Sequence, residues 1–173
     1  MILIVIIHGS ITLAQMNTAG TWLKRFGFAS LVNGTIFLVM SMITLLSDLG
    51  ISRTIAGGSA GTWYVMGYLL LGIVGVAGIF LSGAAYYLFA QASAGNVYNT
   101  KLAWLHLVFM DTGAVVTSLL LAWAGYGAAG MLRAGIEQGQ VHLFLVQFEN
   151  PIAVFMVVAW LGALAGIVNL AAT

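Results

Sequence analysis

Two long apolar runs decide the fold of this chain: residues 63–90, WYVMGYLLLGIVGVAGIFLSGAAYYLFA, and residues 102–128, LAWLHLVFMDTGAVVTSLLLAWAGYGA. Each run is longer than the roughly 20 apolar residues that a helix needs to cross a bilayer. A short polar connector, residues 91–101, separates them. The pattern therefore predicts two membrane-spanning helices, and the second contains the two most unusual residues of the chain, His106 and Asp111.

The composition places the whole chain in the membrane class. Of its 173 residues 62% are hydrophobic and 5% are charged, whereas a soluble domain carries about 25% charged residues. The net charge of +1 provides no basic field for nucleic acid. The absence of cysteine excludes disulfides, iron–sulfur clusters and thiolate metal sites. Nearly all of any function must therefore lie within the bilayer or at its edge.

Outward from the two long runs, the pattern predicts an all-α polytopic transmembrane bundle of about five spans, forming a single domain over residues 1–173. The expected helices are residues 1–23, 28–47, 62–90, 102–128 and 152–171. The first is expected to end at the basic pair Lys24 and Arg25. Because no Lys or Arg precedes Lys24, a signal peptide is not favoured for the start of the chain.

The last connector is predicted to be the longest, residues 131–150. Within it, residues 141–148 are apolar and are expected to lie along the membrane interface as a short amphipathic element. Pro151 follows at a position that suits the first turn of the last helix. That helix contains the packing motif Gly162-x-x-x-Gly166.

The basic residues predict the orientation of the five spans. Lys24, Arg25 and Lys101 fall on one side of the membrane, and Arg53 and Arg133 fall on the other. The positive-inside rule therefore places the amino terminus outside and the carboxyl terminus inside.

Asp111 is the first candidate functional residue. It follows Lys101 by ten residues, which places it about 15 Å into the membrane. A carboxylate at that depth is costly unless it is paired, neutralised or hydrated. It is interpreted either as a proton-relay or quinone-contact residue, or as a packing residue that hydrogen-bonds a neighbouring helix. No second carboxylate in a predicted helix supports a relay.

His106 is the second candidate. A histidine within the membrane can ligate a haem, and a haem with two ligands would take His106 together with His8 of the first predicted helix. The alternative is an ordinary hydrogen-bonding side chain. Adding His142 does not predict a metal site, because the three histidines contain no locally spaced pair. No Ser-His-Asp set or carboxylate pair is present, so no catalytic residue is predicted.

A series of short motifs runs along the chain: GTWLKRF at residues 20–26, TWYVMG at 62–67, GAAYY at 83–87, YNTKLAWLH at 98–106 and GMLR at 130–133. In this order they resemble the eighth to twelfth helices of subunit I of the heme–copper oxidase superfamily. Residues 35–47 are similar to the ninth helix of that subunit. The resemblance implies the last five helices of a twelve-helix subunit, with the amino terminus outside.

Several residues depart from the pattern of that family. Tyr68 and Leu70 stand where the family has the His-x-His pair that ligates both haems, and the helices with the copper ligands have no counterpart. Asp111 stands at an apolar position of the family, Leu132 replaces a proline, and His106 matches a histidine that is not a haem ligand. The resemblance therefore implies a degenerate relative without metal ligands.

These patterns favour a non-catalytic structural or accessory subunit of a larger respiratory, oxidase-like complex in an energy-transducing membrane, either a prokaryotic plasma membrane or a mitochondrial inner membrane. Its partners would be other membrane subunits and lipid, and Asp111 would shape a quinone or proton path. No cofactor is predicted in the chain itself. The alternative is a small electron-transfer subunit that binds haem or quinone with His106 and His8. A small transporter is a third class, but no inverted repeat is visible.

Overall fold

The computed structural model describes residues 20–46, 49–92 and 99–172. These ranges form an all-α bundle and contain no strand. Its helices are α1 (Thr21–Leu46), α2 (Leu49–Ala56), α3 (Gly61–Ala92), α4 (Thr100–Arg133) and α5 (Gln138–Ala171). All but the short α2 are long and apolar enough to cross a membrane, so the described part contains four candidate spans. The predicted all-α transmembrane bundle is confirmed, while most of its expected first helix, residues 1–19, lies outside the described residues.

The boundary predicted at Lys24 and Arg25 is wrong, because both residues lie inside α1. The Arg25 guanidinium lies over two indole rings, 4.6 Å from the centroid of Trp22 and 4.7 Å from that of Trp104. Cation–π contacts of this kind stabilise a charge without a carboxylate. Lys and Arg are also good helix formers. A basic pair therefore marks the membrane surface here without interrupting the helix.

The predicted connector at residues 131–150 is also wrong. The turn between α4 and α5 is closed by Gly135 at φ +76°, with Gly135 N–H donating to the Leu132 carbonyl and Ile136 N–H to the Met131 carbonyl. This is the glycine-terminated motif that commonly ends helices. The helix α5 then begins at Gln138 and continues through Pro151.

The apolar residues 141–148 belong to α5 and do not form a separate interfacial element. Val141 and Leu145 are buried in one cluster with Ala124 and Ala128 of α4. This packing extends α5 toward its amino terminus. Pro151 removes a single backbone hydrogen bond from the helix, and the contacts on both sides of it keep the helix continuous.

Small residues set an antiparallel register between α4 and α5. A Cβ atom at Gly162 would overlap the backbone of Met110, and one at Gly166 would overlap the His106 ring. A Cβ at Gly113 would in turn overlap the backbone of Ala159. The predicted packing role of Gly162 and Gly166 is confirmed, because their missing side chains allow the two helices to approach closely.

Candidate functional site

Asp111 is linked to two other helices through one amide. It is half-buried in α4 and faces α1. Asn33 Nδ2 donates to Asp111 Oδ1 at 2.7 Å and to the Gly75 carbonyl oxygen of α3 at 2.6 Å. Asn33 is only 2% exposed. One side chain therefore connects α1, α3 and α4 inside the membrane, where no water replaces a missing partner.

The middle of α3, Leu71–Gly78, is a π-helix, and α1 satisfies two of its carbonyls. Ser30 Oγ donates to the Val76 carbonyl oxygen at 2.9 Å, next to the bond from Asn33 to Gly75. Such wide turns are rare and often occur at functional positions. A Cβ atom at Gly75 would lie only 2.9 Å from Leu71 Cδ1, so the glycine makes room for the Leu71 side chain within the π-helix.

Sequence reasoning did not identify Ser30 and Asn33 as members of this site. A signal was present, because Ser30 and Asn33 lie three positions apart and therefore share one face of a mainly apolar helix. No sequence pattern predicted the π-helix at Leu71–Gly78.

His106 is enclosed by protein and is 5% exposed. Its Nδ1 lies 3.3 Å from Tyr86 Oη, and its Nε2 lies 3.2 Å from Met110 Sδ. The ring also lies edge-on to Phe26, with 5.2 Å between the ring centroids. The side chain of His106 therefore projects from α4 into a mainly aromatic environment formed with α1 and α3.

Asn169 extends this environment to the far end of α5. Asn169 Nδ2 donates to Tyr86 Oη at 3.2 Å and to the Asn99 carbonyl oxygen at 3.0 Å. The backbone N–H of Asn99 donates to Asn169 Oδ1 at 2.8 Å. The Asn99 side chain in turn accepts from the first backbone N–H groups of α4, which is the usual role of an N-cap residue. His106 thus belongs to a hydrogen-bonded set that fixes the start of α4.

This arrangement does not fit a haem ligand. An axial histidine must direct one ring nitrogen at the iron, whereas both nitrogens of His106 face protein atoms and Gly166 packs against the ring. His8, the other predicted ligand, lies outside the described residues. His142 is exposed in α5 and lies far along the chain from His106. Within the described ranges, no group of three His, Asp or Glu residues that could hold a metal ion is present.

His106 and Asp111 do not converge on one site. Asp111 points to Asn33 of α1, and the ring of His106 lies between Tyr86 of α3 and Gly166 of α5. Five residues of an α-helix correspond to about 140° of rotation beyond a full turn. The two predicted site residues therefore act in separate environments on the same helix.

Two polar groups face outward near the middle of the apolar part of the bundle. Trp160 of α5 is 70% exposed, and Thr112 of α4 is also exposed. They lie at the same level, because Ala159 packs against Gly113. Within the part of the chain that the structure describes, neither side chain has a hydrogen-bond partner. A tryptophan in the middle of an apolar run, away from the interfacial belts where this residue is usual, is the sequence signal that was missed.

No protein family model, curated protein or solved structure matches this chain.

Proposed function

We propose that this chain is a non-catalytic subunit of a larger respiratory membrane complex of the heme–copper oxidase type. The observation that carries the proposal is the outward-facing pair Thr112 and Trp160, which lies at mid-depth on the α4–α5 face. Hydrocarbon offers no acceptor for an indole N–H. A neighbouring subunit that packs on this face would supply one, and tryptophan is among the residues that contribute most to such interfaces.

The sequence motifs support the proposed type of complex and its membrane. The series from residue 20 to residue 133 resembles the last helices of oxidase subunit I, which supports a respiratory complex in an energy-transducing membrane. The three-to-two distribution of Lys and Arg between the two sides supports a carboxyl terminus inside and, with the predicted span before α1, an amino terminus outside. The enclosed His106 and the paired Asp111 support a packing role for this chain within that complex.

The test is purification in mild detergent from the native membrane, followed by mass spectrometry of stoichiometric partners. We expect haem-bearing oxidase subunits to co-purify. Trp160→Leu should lower their recovery on the order of tenfold, as expected for an interface anchor. Trp123→Leu is the matched control, because Trp123 is similarly exposed at 72% but lies nearer the end of α4. Purification of the chain alone or as a homo-oligomer would contradict the proposal.

Asp111 is assigned a packing role within the complex, in preference to a proton relay or a quinone contact. Asp111→Asn keeps an oxygen that accepts from Asn33 and removes the ionisable group. We expect unchanged turnover of the intact complex, measured as oxygen consumption with matched subunit content. A loss of turnover without a loss of assembly would instead assign Asp111 to a proton path.

The alternative is an electron-transfer subunit that binds haem with His106 and His8. Spectroscopy distinguishes it from the non-catalytic subunit. A reduced-minus-oxidised spectrum of the purified chain would detect one haem per chain. Such a haem, lost in His106→Ala but retained in His142→Ala, would replace the packing proposal for His106.

A further inference from the structure

Positive charge is concentrated at the end of the bundle where α1 and α4 begin. Arg25 of α1 lies over the ring of Trp104 of α4. Lys101 precedes Trp104 by three residues, and residues at that spacing are neighbours on one face of a helix. Lys24, next to Arg25 in the sequence, adds a third cation at the same level. Two helices therefore bring their basic residues together at one membrane surface.

The chain supplies no carboxylate to neutralise these cations. Its four acidic residues are Asp48, Asp111, Glu137 and Glu149. Asp111 lies seven residues beyond Trp104 and accepts from Asn33, which places it about 10 Å deeper in the membrane. Glu137 and Glu149 lie at the start and in the first half of α5, which packs on the last part of α4. Asp48 follows Leu46, the last residue of α1.

Arg25 has the most defined position among the three cations. Its side chain is half-buried, and its guanidinium carbon lies over the rings of both Trp22 and Trp104. These rings offer no oxygen acceptor, and within the described ranges Arg25 has no hydrogen bond or ion pair. A guanidinium presents its N–H donors in a planar fork that matches the oxygens of a phosphate. Arg25 is therefore held in place with its donors available to an anionic group.

The surface next to Arg25 on the membrane side is apolar and faces outward. Phe28, three residues after Arg25, is 69% exposed, and Val108, four residues after Trp104, is 47% exposed. Both lie about one turn deeper in the apolar spans, because the contacts between α1 and α4 follow the same order along both helices. An anionic group at Arg25 would therefore continue into a surface that suits hydrocarbon chains.

We propose that Arg25 and Lys101 bind the headgroup phosphate of an anionic phospholipid, whose hydrocarbon chains lie along Phe28 and Val108. Arg25 donates to the phosphate oxygens in a bidentate arrangement, and Lys101 adds a second positive charge. A free phosphate would use the same donors but would gain nothing from the apolar surface. A zwitterionic lipid carries a cation of its own, which the basic residues repel.

This lipid site goes beyond the proposed subunit role and is independent of it, because every residue of the site lies in this chain. Co-purification tests the subunit role, whereas lipid binding is measured on the purified full chain. Failure of one leaves the other standing.

The experiment is native mass spectrometry of the purified chain in a neutral detergent, titrated with dioleoyl phosphatidylglycerol or dioleoyl phosphatidylcholine. We expect a single phosphatidylglycerol to bind on the order of tenfold more tightly than phosphatidylcholine, as for one hydrogen bond between charged groups. Arg25→Gln should remove this preference. Lys101→Gln should reduce it about fivefold, the usual effect of one basic residue at an anionic surface.

Lys24→Gln is the matched control. It removes one positive charge at the same level, but adjacent residues of a helix do not share a face. The preference for phosphatidylglycerol should therefore be retained within about twofold, because an exposed charge away from the phosphate is screened. An equal loss in Lys24→Gln and Arg25→Gln would mean that the lipid responds only to net charge, which would overturn the proposed site.

Two further measurements keep the proposal falsifiable if Arg25→Gln folds poorly. The first is the lipid preference of the unmodified chain: equal binding of the two lipids would overturn the proposal and leave Arg25 to a carboxylate of another subunit. The second is competition by glycerol 3-phosphate, which carries the phosphate without the hydrocarbon chains. It should compete on the order of tenfold more weakly than phosphatidylglycerol, since it buries no apolar surface. Equal competition would assign Arg25 to a free phosphate.

Discussion

Replacing Gly166 by alanine is expected to destabilise the protein by about 2–3 kcal/mol, the upper part of the range for overpacked interiors. The added methyl group would overlap the imidazole of His106. That ring has little freedom to move, since both its nitrogens contact protein atoms. The helices α4 and α5 must therefore separate, which weakens the packing of Gly162 against Met110 one turn away. The free energy of unfolding is measured in mixed micelles, with circular dichroism as the probe of helix content.

The control is the same substitution at Gly130. A Cβ atom there meets no other group within 4 Å, although the residue lies inside α4. Gly130→Ala should therefore stabilise the protein by up to about 1 kcal/mol, because alanine is the better helix former. Equal effects of the two substitutions would show that the α4–α5 register described above does not limit stability.

Asn33→Leu is expected to be the second most damaging change, at about 2 kcal/mol, within the range for a lost hydrogen bond to a charged group. It removes the donor to Asp111 and the donor to the Gly75 carbonyl together. A leucine of similar size leaves the carboxyl without a partner in a medium that cannot replace it. The same unfolding assay measures the loss.

A double-mutant cycle identifies the cause. Asp111→Leu in the Asn33→Leu background removes the carboxyl group that has lost its hydrogen-bond partner. The double variant should therefore be more stable than Asn33→Leu alone. Ser30→Ala removes one bond to the same π-helix and should cost less, about 1 kcal/mol. A double variant less stable than Asn33→Leu would mean that Asp111 contributes independently of the amide.

The sequence predicted the features of the fold that depend on composition and run length. The runs at residues 63–90 and 102–128 became α3 and α4, and Gly162 and Gly166 pack as expected. The errors came from contacts between distant segments. The Arg25 side chain is held over Trp104, a residue of another helix, and this contact is not visible in the local sequence. The helix α5 passes through Pro151 because Val141 and Leu145 pack on α4.

The site was predicted less completely, for a related reason. The cost of a carboxylate in the bilayer singled out Asp111 from position alone. Its partner Asn33 lies in a different helix, and the pairing depends on the register between α1 and α4, which no local pattern encodes. The hydroxyl of Thr117 is buried without a hydrogen-bond partner in the described part of the chain. This is also a tertiary property, because a helical threonine in the sequence gives no indication that a partner is missing.

The equal lengths of α4 and α5 have a consequence for the shape of the molecule. Each contains 34 residues, which is about 51 Å at 1.5 Å per residue. The hydrocarbon core is about 30 Å thick, and an average tilt of about 20° shortens the helices only slightly. The paired helices are therefore long enough to project beyond the hydrocarbon core. The polar residues of α5 other than the buried Asn169 all precede Pro151, so the projecting end is the one closed at Gly135. A chain with 5% charged residues thus extends a pair of helices beyond one membrane surface, which its composition alone does not suggest.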